Sequence, residues 1–366
     1  MSRKEKTYKK LPAAKHLLRI VIVLLICSPF NIRAQDIHFT QFYESSLTLN
    51  PALCGAFNGD FRAEINYRNQ WAASLGSGYE FSTMAASAEY KNVLQGWKGG
   101  FLSPGISFFS DKAGTIQLTT TEVNFSLAGG VYLDPKNTIT AGLQGGWSQN
   151  SMNLQNVPWD EQYINGQYDP NAATGEPLAG HTLSYSDFSG GLLYNYSSSA
   201  VNIASSQYVK YNVGVAFFHI NQPDMSFYGT NGPGTNLYIR YVFHAGAEFK
   251  MSGSNMALAP LAVFYRQGPA QEIDLGIKLR YALGLQSSHY TDFSKSRVAD
   301  FGIYYRAGDA FIALLQMEFP SYSIGFSYDI NTSQYISATT GQGAWEISLR
   351  YTPQTKVGNG DSHSMF

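Results

Sequence analysis

From about residue 60 onward, hydrophobic and polar residues alternate with a period of two. The clearest example is near the C-terminus, where Trp345 and Ile347 alternate with Glu346 and Ser348. Successive side chains of a β-strand point to opposite faces, so such a segment has one apolar and one polar face. In a helix the same apolar positions would be spread around the whole circumference. The pattern therefore predicts a chain built almost entirely of β-strands.

The alternation recurs in fourteen segments, each followed by a turn. These segments are 60–71, 81–92, 99–111, 116–134, 137–153, 184–198, 207–221, 235–251, 255–269, 270–284, 298–308, 309–319, 320–331 and 343–353. An even number of strands is typical of a single-chain transmembrane barrel whose two ends lie on the periplasmic side. The sequence predicts an all-β fold, a transmembrane antiparallel β-barrel of about 14 strands with an N-terminal periplasmic or plug segment.

Composition decides between this barrel and a secreted β-sandwich or propeller. Only 14% of the 366 residues are charged, whereas 14% are aromatic. An ordinary soluble domain has roughly 25% charged residues, and a sandwich would need that charge on its outer faces. No repeat of blade length supports a propeller. A mean hydropathy of −0.18 is too polar for a bundle of membrane helices. A barrel with an apolar exterior and a polar interior satisfies all of these observations.

The N-terminal residues have the pattern of a targeting segment. Seven basic residues precede the apolar run 20–27, and a short stretch ending at Ala34 follows. This order predicts a secretory signal peptide over 1–34, cleaved after Ala34. An uncleaved anchor is the alternative, but the apolar run is far shorter than the roughly 20 residues that span a membrane. The remaining divisions are a plug or periplasmic segment at 35–59, the barrel at 60–353 and a polar tail at 354–366.

Removal of the signal peptide changes the charge balance. The first 34 residues contain 8 basic residues and 1 acidic residue, which leaves 17 basic and 25 acidic residues and a net charge of −8. A mildly acidic chain without a basic stripe argues against a nucleic-acid partner. The mature chain keeps one cysteine, Cys54. It can form neither an internal disulfide nor a multi-cysteine metal site.

Three motifs follow in order between residues 35 and 71. They are Phe39-Thr-Gln-Phe-Tyr43, Leu49-Asn-Pro-Ala52 with Gly55, and Tyr67-Arg-Asn-Gln-Trp71 at the end of the first predicted strand. Together they resemble the PorP/SprF family of outer-membrane proteins of the type IX secretion system. The candidate plug and motif residues are Gln41, Phe42, Tyr43, Asn50, Pro51, Gly55, Arg62, Tyr67, Arg68, Gln70 and Trp71.

The resemblance implies a non-enzymatic role in the outer membrane. Members of this kind would assist the secretion and cell-surface anchoring of specific cargo, such as gliding-associated adhesins with C-terminal sorting domains. Periplasmic components of the secretion system and outer-membrane lipid would be the other partners. Two alternatives stay open: an outer-membrane channel for small solutes with 35–59 as its plug, and an enzyme at the barrel rim that acts on lipid.

Residues with catalytic or metal-binding chemistry do not form a recognised motif. His181 lies near Ser184, Ser186 and Asp187, but nothing resembles a nucleophile elbow. The longest predicted outward loop, 154–183, contains four acidic residues without the spacing of a calcium loop, namely Asp160, Glu161, Asp169 and Glu176. We therefore predict no catalytic residues, no metal and no cofactor. A longer inward connection at 285–297 is a candidate docking site for a periplasmic partner.

Overall fold

Fourteen strands of the computed structural model form one closed barrel, and two more pair with each other in a loop. The structure describes residues 36, 38–71, 81–91, 99–114, 116–153, 159–164, 166–169, 171–173, 175, 182–198, 208–227, 236–251, 254–283, 297–333 and 336–353. The predicted signal peptide, His181, Glu176, most of the 285–297 connection and the polar tail lie outside these residues. The strands are β1 (Phe61–Gln70), β2 (Phe81–Tyr90), β3 (Gly100–Ala113), β4 (Leu118–Tyr132), β5 (Asn137–Ser151), β6 (Tyr163–Ile164), β7 (Gln167–Tyr168), β8 (Thr182–Ser197), β9 (Tyr208–Phe218), β10 (Arg240–Lys250), β11 (Met256–Gln267), β12 (Ala270–Leu283), β13 (Arg297–Arg306), β14 (Ala310–Glu318), β15 (Tyr322–Asn331) and β16 (Gln342–Tyr351).

Every barrel strand is antiparallel to both of its neighbours. Strand β1 pairs with β16 and closes the barrel, and β5 pairs directly with β8 because β6 and β7 form a separate hairpin. The predicted fourteen-stranded antiparallel barrel is confirmed. Most of the strand limits agree with the predicted segments to within a few residues, because each predicted limit rests on the end of an alternating run. Short helical turns lie in two loops, at Asp160–Gln162 and Ile336–Thr339.

The outer surface is apolar. Along β15, Tyr322, Ile324 and Phe326 are 44–52% exposed, whereas Ser323 and Ser327 of the same strand are buried. All backbone polar groups of a closed barrel are paired between strands, so such a surface can face lipid. Among the described residues, no helix is long and apolar enough to cross a membrane.

The inner surface is less uniformly polar than the alternation predicts. In β14, the inward Ile312 and Leu314 are buried while the outward Phe311 and Leu315 are exposed, so this strand is apolar on both faces. The inward residues belong to one apolar cluster that also contains Phe42, a residue that is not part of any barrel strand. Part of the wall is therefore apolar because another segment of the chain packs against it from inside.

That segment consists of residues 36 and 38–59, which we call the lumenal segment. It folds into a 3-10 helix at Phe42–Glu44, one α-helical turn at Ser46–Leu49 and a second 3-10 helix at Pro51–Leu53. Most of its described side chains are buried. The sequence predicts packing in or under the barrel mouth, whereas the structure places this segment inside the barrel along its whole length.

The two ends of the barrel define the direction of the lumenal segment. The termini mouth is the end where β1 begins at Phe61 and β16 ends at Tyr351; the loop mouth is the opposite end. Phe57 lies at the termini mouth, where its carbonyl accepts a hydrogen bond from Lys91 at 2.8 Å. Asp36 lies at the loop mouth, where its N–H donates to Gln267 at 2.8 Å. The lumenal segment thus runs from one mouth to the other.

Candidate functional site

Near the loop mouth, one wall carboxylate binds the backbone of the lumenal segment. Glu346 of β16 is completely buried, and its two oxygens accept from the N–H groups of Thr40 and Gln41 at 2.8 and 2.9 Å. Arg68 of β1 lies 3.4 Å from the same carboxylate. Hydrogen bonds to an ionised group are stronger than neutral ones. Glu346 therefore fixes the lumenal segment where β1 and β16 close the barrel.

Two arginines and an aspartate complete this network. Arg68 and Arg306 both contact Asp329, with N–O distances of 2.9 and 3.0 Å. Arg306 also donates to the hydroxyl of Thr40 at 2.9 Å. Both arginine side chains are only 3% exposed. Charges at such depth are tolerated only when each is paired and hydrogen-bonded, so removal of any member leaves an uncompensated charge.

The side chain of Gln41 lies against a glycine of the wall. Its amide nitrogen donates to Ser327 at 3.3 Å, and its amide oxygen accepts from Ser348 at 2.7 Å. A Cβ at Gly325 would stand 2.2 Å from that amide oxygen. Only glycine leaves room for Gln41 at this position, so the contact depends on the wall as well as on the lumenal segment.

In the middle of the barrel, a histidine bridges two side chains of the lumenal segment. His244 of β10 has one ring nitrogen 3.2 Å from the hydroxyl of Tyr43 and the other 3.0 Å from the side-chain nitrogen of Asn50. Tyr43 also donates to Asn212 at 2.8 Å. Asn50 caps the helical turn at Pro51, because its side-chain oxygen accepts from the N–H of Ala52 at 2.8 Å. Asn50 thus supports the local turn and the wall contact together.

Toward the termini mouth, two further wall carboxylates accept backbone N–H groups. Glu64 of β1 accepts from the N–H of Ser46 at 2.9 Å, and Glu89 of β2 accepts from the N–H of Gly55 at 2.9 Å. Arg62 pairs with Glu89 at 2.8 Å and donates to the carbonyl of Leu53 at 3.0 Å. The arrangement at Glu346 is therefore repeated at two lower levels of the barrel.

At the loop mouth, Asp36 is held by two cationic groups. Its carboxylate is hydrogen-bonded to His219, which follows β9, and lies 3.7 Å from Arg240. Burial alone would lower the pKa of His219, but the charges of Asp36 and Asp187 outweigh it and raise this pKa to about 10. Burial opposes the ionisation of Asp36 as well, yet His219 and Arg240 hold its pKa below the ordinary value. At neutral pH both partners are therefore charged.

Glycines of the wall admit the backbone of the lumenal segment. A Cβ at Gly142 of β5 would meet the carbonyl group of Pro51 at 2.4 Å, and one at Gly191 of β8 would meet the Asn50 side-chain oxygen at 2.0 Å. Both distances are far below van der Waals contact, so a side chain there would displace the lumenal segment. Gly55 has a φ of 76°, a backbone conformation that glycine adopts without strain.

The motif residues of β1 divide between the two faces of the strand. Arg62 and Arg68 point inward and donate to the lumenal segment, Arg62 to the carbonyl of Leu53 and Arg68 to the hydroxyl of Thr40. Tyr67 points outward, is 37% exposed and packs against Trp345 with ring centroids 5.3 Å apart. Gln70 and Trp71 lie at the loop-mouth end of the strand. The ring of Trp71 packs against the ring of Phe81, with centroids 5.1 Å apart. The candidate set therefore divides into three groups. Six residues belong to the lumenal segment itself, namely Gln41, Phe42, Tyr43, Asn50, Pro51 and Gly55; Arg62 and Arg68 bind it from the wall; and Tyr67, Gln70 and Trp71 lie elsewhere on β1 or at its end.

Several residues of this network are absent from the candidates that the sequence indicates. They are Glu89, His244, Arg306, Asp329 and Glu346. The available signal was a charged or histidine side chain at an inward position of an alternating segment, but the partners lie up to 306 positions away. The candidate rim residue Asp187 pairs with His219 at 3.0 Å. Among the described residues, no group of three or more His, Cys, Asp or Glu is arranged to hold a metal ion.

Comparison with known families agrees with this architecture. The family model described as "Type IX secretion system membrane protein PorP/SprF" matches residues 31–351, which include the lumenal segment and the whole barrel. The chain belongs to the PorP/SprF family. It has no significant sequence match among curated proteins. As a PorP/SprF protein it is a membrane component of type IX secretion, and its barrel is of the outer-membrane kind.

Solved outer-membrane barrels share only the general fold with this PorP/SprF chain. BamA of Haemophilus ducreyi lacking POTRA domains 1–3 is 12% identical, with 81% of this chain and 70% of that chain covered and a TM-score of 0.42. The β-domain of the Bordetella autotransporter BrkA is 10% identical over 81% of this chain and 100% of that chain, with a TM-score of 0.39. The monoaromatic hydrocarbon channel CymD is 12% identical over 85% and 93%, with a TM-score of 0.39.

A single methyl group tests the glycine contacts. Gly191→Ala should displace Asn50 and destabilise the barrel by about 1–3 kcal/mol, the usual cost of overpacking, and should allow ion leakage through the lumen. Gly190→Ala is the matched control, because its Cβ would point to the other face and meet Leu143 at an ordinary 3.4 Å. Denaturant unfolding in lipid vesicles and single-channel recording measure the two effects. Equal behaviour of both variants would contradict the packing described.

The buried carboxylate at the barrel seam gives a second test. Glu346→Ala removes the acceptor of two N–H groups and one partner of Arg68, so the free energy of unfolding should fall by about 3–5 kcal/mol, as for a broken buried ion pair. Glu161→Ala, in an exposed loop, should change it by less than about 0.5 kcal/mol. The same vesicle unfolding assay compares the two variants. An unaltered midpoint for Glu346→Ala would show that this carboxylate is not required.

Proposed function

We propose that this PorP/SprF protein is a non-enzymatic outer-membrane component that binds specific secreted cargo and anchors it at the cell surface. Gliding-associated adhesins with C-terminal sorting domains are the proposed class of cargo. The protein would reach the outer membrane by a cleaved signal peptide over 1–34 and would contact periplasmic components of the type IX secretion system. No cofactor or metal takes part.

The observation that supports this proposal is the occupied lumen. Three buried wall carboxylates, those of Glu346, Glu64 and Glu89, hold the backbone of the lumenal segment at three levels. A channel plug that moves aside during each transport event would have to break these contacts and leave the charges unpaired, which is costly. We therefore assign residues 35–59 to a permanent plug, and we assign binding to the outer parts of the barrel.

Loss of one surface protein is the expected consequence of deleting the gene. Protease shaving of intact cells followed by mass spectrometry should show that a defined cargo with a C-terminal sorting domain disappears from the surface and returns on complementation. Uptake of small sugars and amino acids should stay unchanged, because the lumen is not a solute path. An unchanged surface proteome together with impaired solute uptake would instead support the channel alternative.

Cross-linking identifies the direct contact. A pull-down of the cross-linked protein from membranes should recover the cargo that the deletion strain lacks. The deletion strain complemented with Glu161→Ala should give the same cross-linked cargo, because this exposed residue lies outside the lumenal contacts. Cargo that disappears from the surface without ever cross-linking would place the protein elsewhere in the secretion route.

A further inference from the structure

The direction of the lumenal segment has a consequence for membrane topology. Going backward along the chain from β1, Phe57 is bonded to Lys91 at the termini mouth, Ser46 to Glu64 within the barrel, and Thr40 to Glu346 closer to the loop mouth. Asp36 is bonded to Gln267, the last residue of β11, at the loop mouth. The chain therefore crosses the barrel once inside the lumen before it crosses it again as β1.

The Asp36 end is fixed where it lies. Its N–H, through Gln267, and its carboxylate, through His219 and Arg240, are held by three wall positions near the loop mouth. The Asp36 side chain is nevertheless 27% exposed, whereas the His219 side chain is 6% exposed. Asp36 thus lies at the border between the packed lumen and the solvent outside this mouth.

The loop mouth has the features of the outer side of a barrel. The two longest connections, 152–181 between β5 and β8 and 219–239 between β9 and β10, both begin and end at this mouth, whereas the connections at the termini mouth range from short turns such as 133–136 up to 284–296. Long loops outside and short turns on the periplasmic side are the rule for these barrels.

We propose that Asp36 is displayed on the outer surface of the cell, so that the start of the lumenal segment and the end of β16 lie on opposite sides of the membrane. The segment enters the lumen from outside and leaves it on the periplasmic side. The proposal concerns topology and is independent of the cargo proposed above.

Cysteine labelling on intact cells tests this topology. Asp36→Cys is compared with an outer reference, Gln167→Cys in the exposed β6–β7 hairpin, and with a periplasmic reference, Lys136→Cys in the exposed turn after β4. Native Cys54 is completely buried and supplies the unlabelled background. The probe is a sulfonated maleimide that does not cross the outer membrane.

The Asp36→Cys and Gln167→Cys variants should be labelled on intact cells, and the Lys136→Cys variant only after the outer membrane is permeabilised. The proposal is overturned if Asp36→Cys behaves like Lys136→Cys, or if Gln167→Cys itself needs permeabilisation. Because Asp36→Cys removes the partner of His219, a second variant keeps Asp36 and carries a short epitope between Gln35 and Asp36. An antibody to this epitope should bind intact cells; binding only to permeabilised cells would overturn the proposal as well.

Discussion

Buried carboxylates of the barrel wall that accept backbone N–H groups are the interaction on which this structure depends. Glu346, Glu64 and Glu89 each bind one or two N–H groups of the lumenal segment, and each also contacts an arginine of β1. A charge buried this deeply must be paired and hydrogen-bonded to be tolerated. The wall and the lumenal segment therefore require each other: without the segment the carboxylates lose hydrogen bonds, and without the carboxylates the backbone N–H groups are unsatisfied.

The other features of the interior follow from this mutual dependence. Inward glycines such as Gly142 and Gly191 give the backbone room to approach the wall. Where the segment presents Phe42, the wall presents Ile312 and Leu314 in place of polar residues. In a water-filled barrel the inward residues of every strand are polar. The apolar inward residues of β14 therefore indicate that this lumen is filled by protein.

The alternation along the chain predicted the strands of the barrel wall, but it did not predict which residues contact each other inside the barrel. Strands such as β15 and β16 were predictable within a few residues because one face contacts lipid and the other does not. Glu346 was visible as a polar position of β16, but its partners Thr40 and Gln41 lie 306 and 305 residues earlier, and no local rule connects them. The family resemblance grouped Tyr67 with Arg68, but neighbouring residues of a strand point to opposite faces, and in the structure Tyr67 is exposed while Arg68 is buried. The direction of the lumenal segment depends on non-local contacts at both of its ends.

Hydrogen exchange of the lumenal backbone tests the central claim most directly. In the protein reconstituted in lipid, the amides of Thr40, Gln41, Ser46 and Gly55 should exchange as slowly as those of the barrel strands, because each donates to a buried carboxylate. Exchange of these four amides within seconds, while the strands stay protected, would show a mobile segment and would contradict a permanently filled lumen.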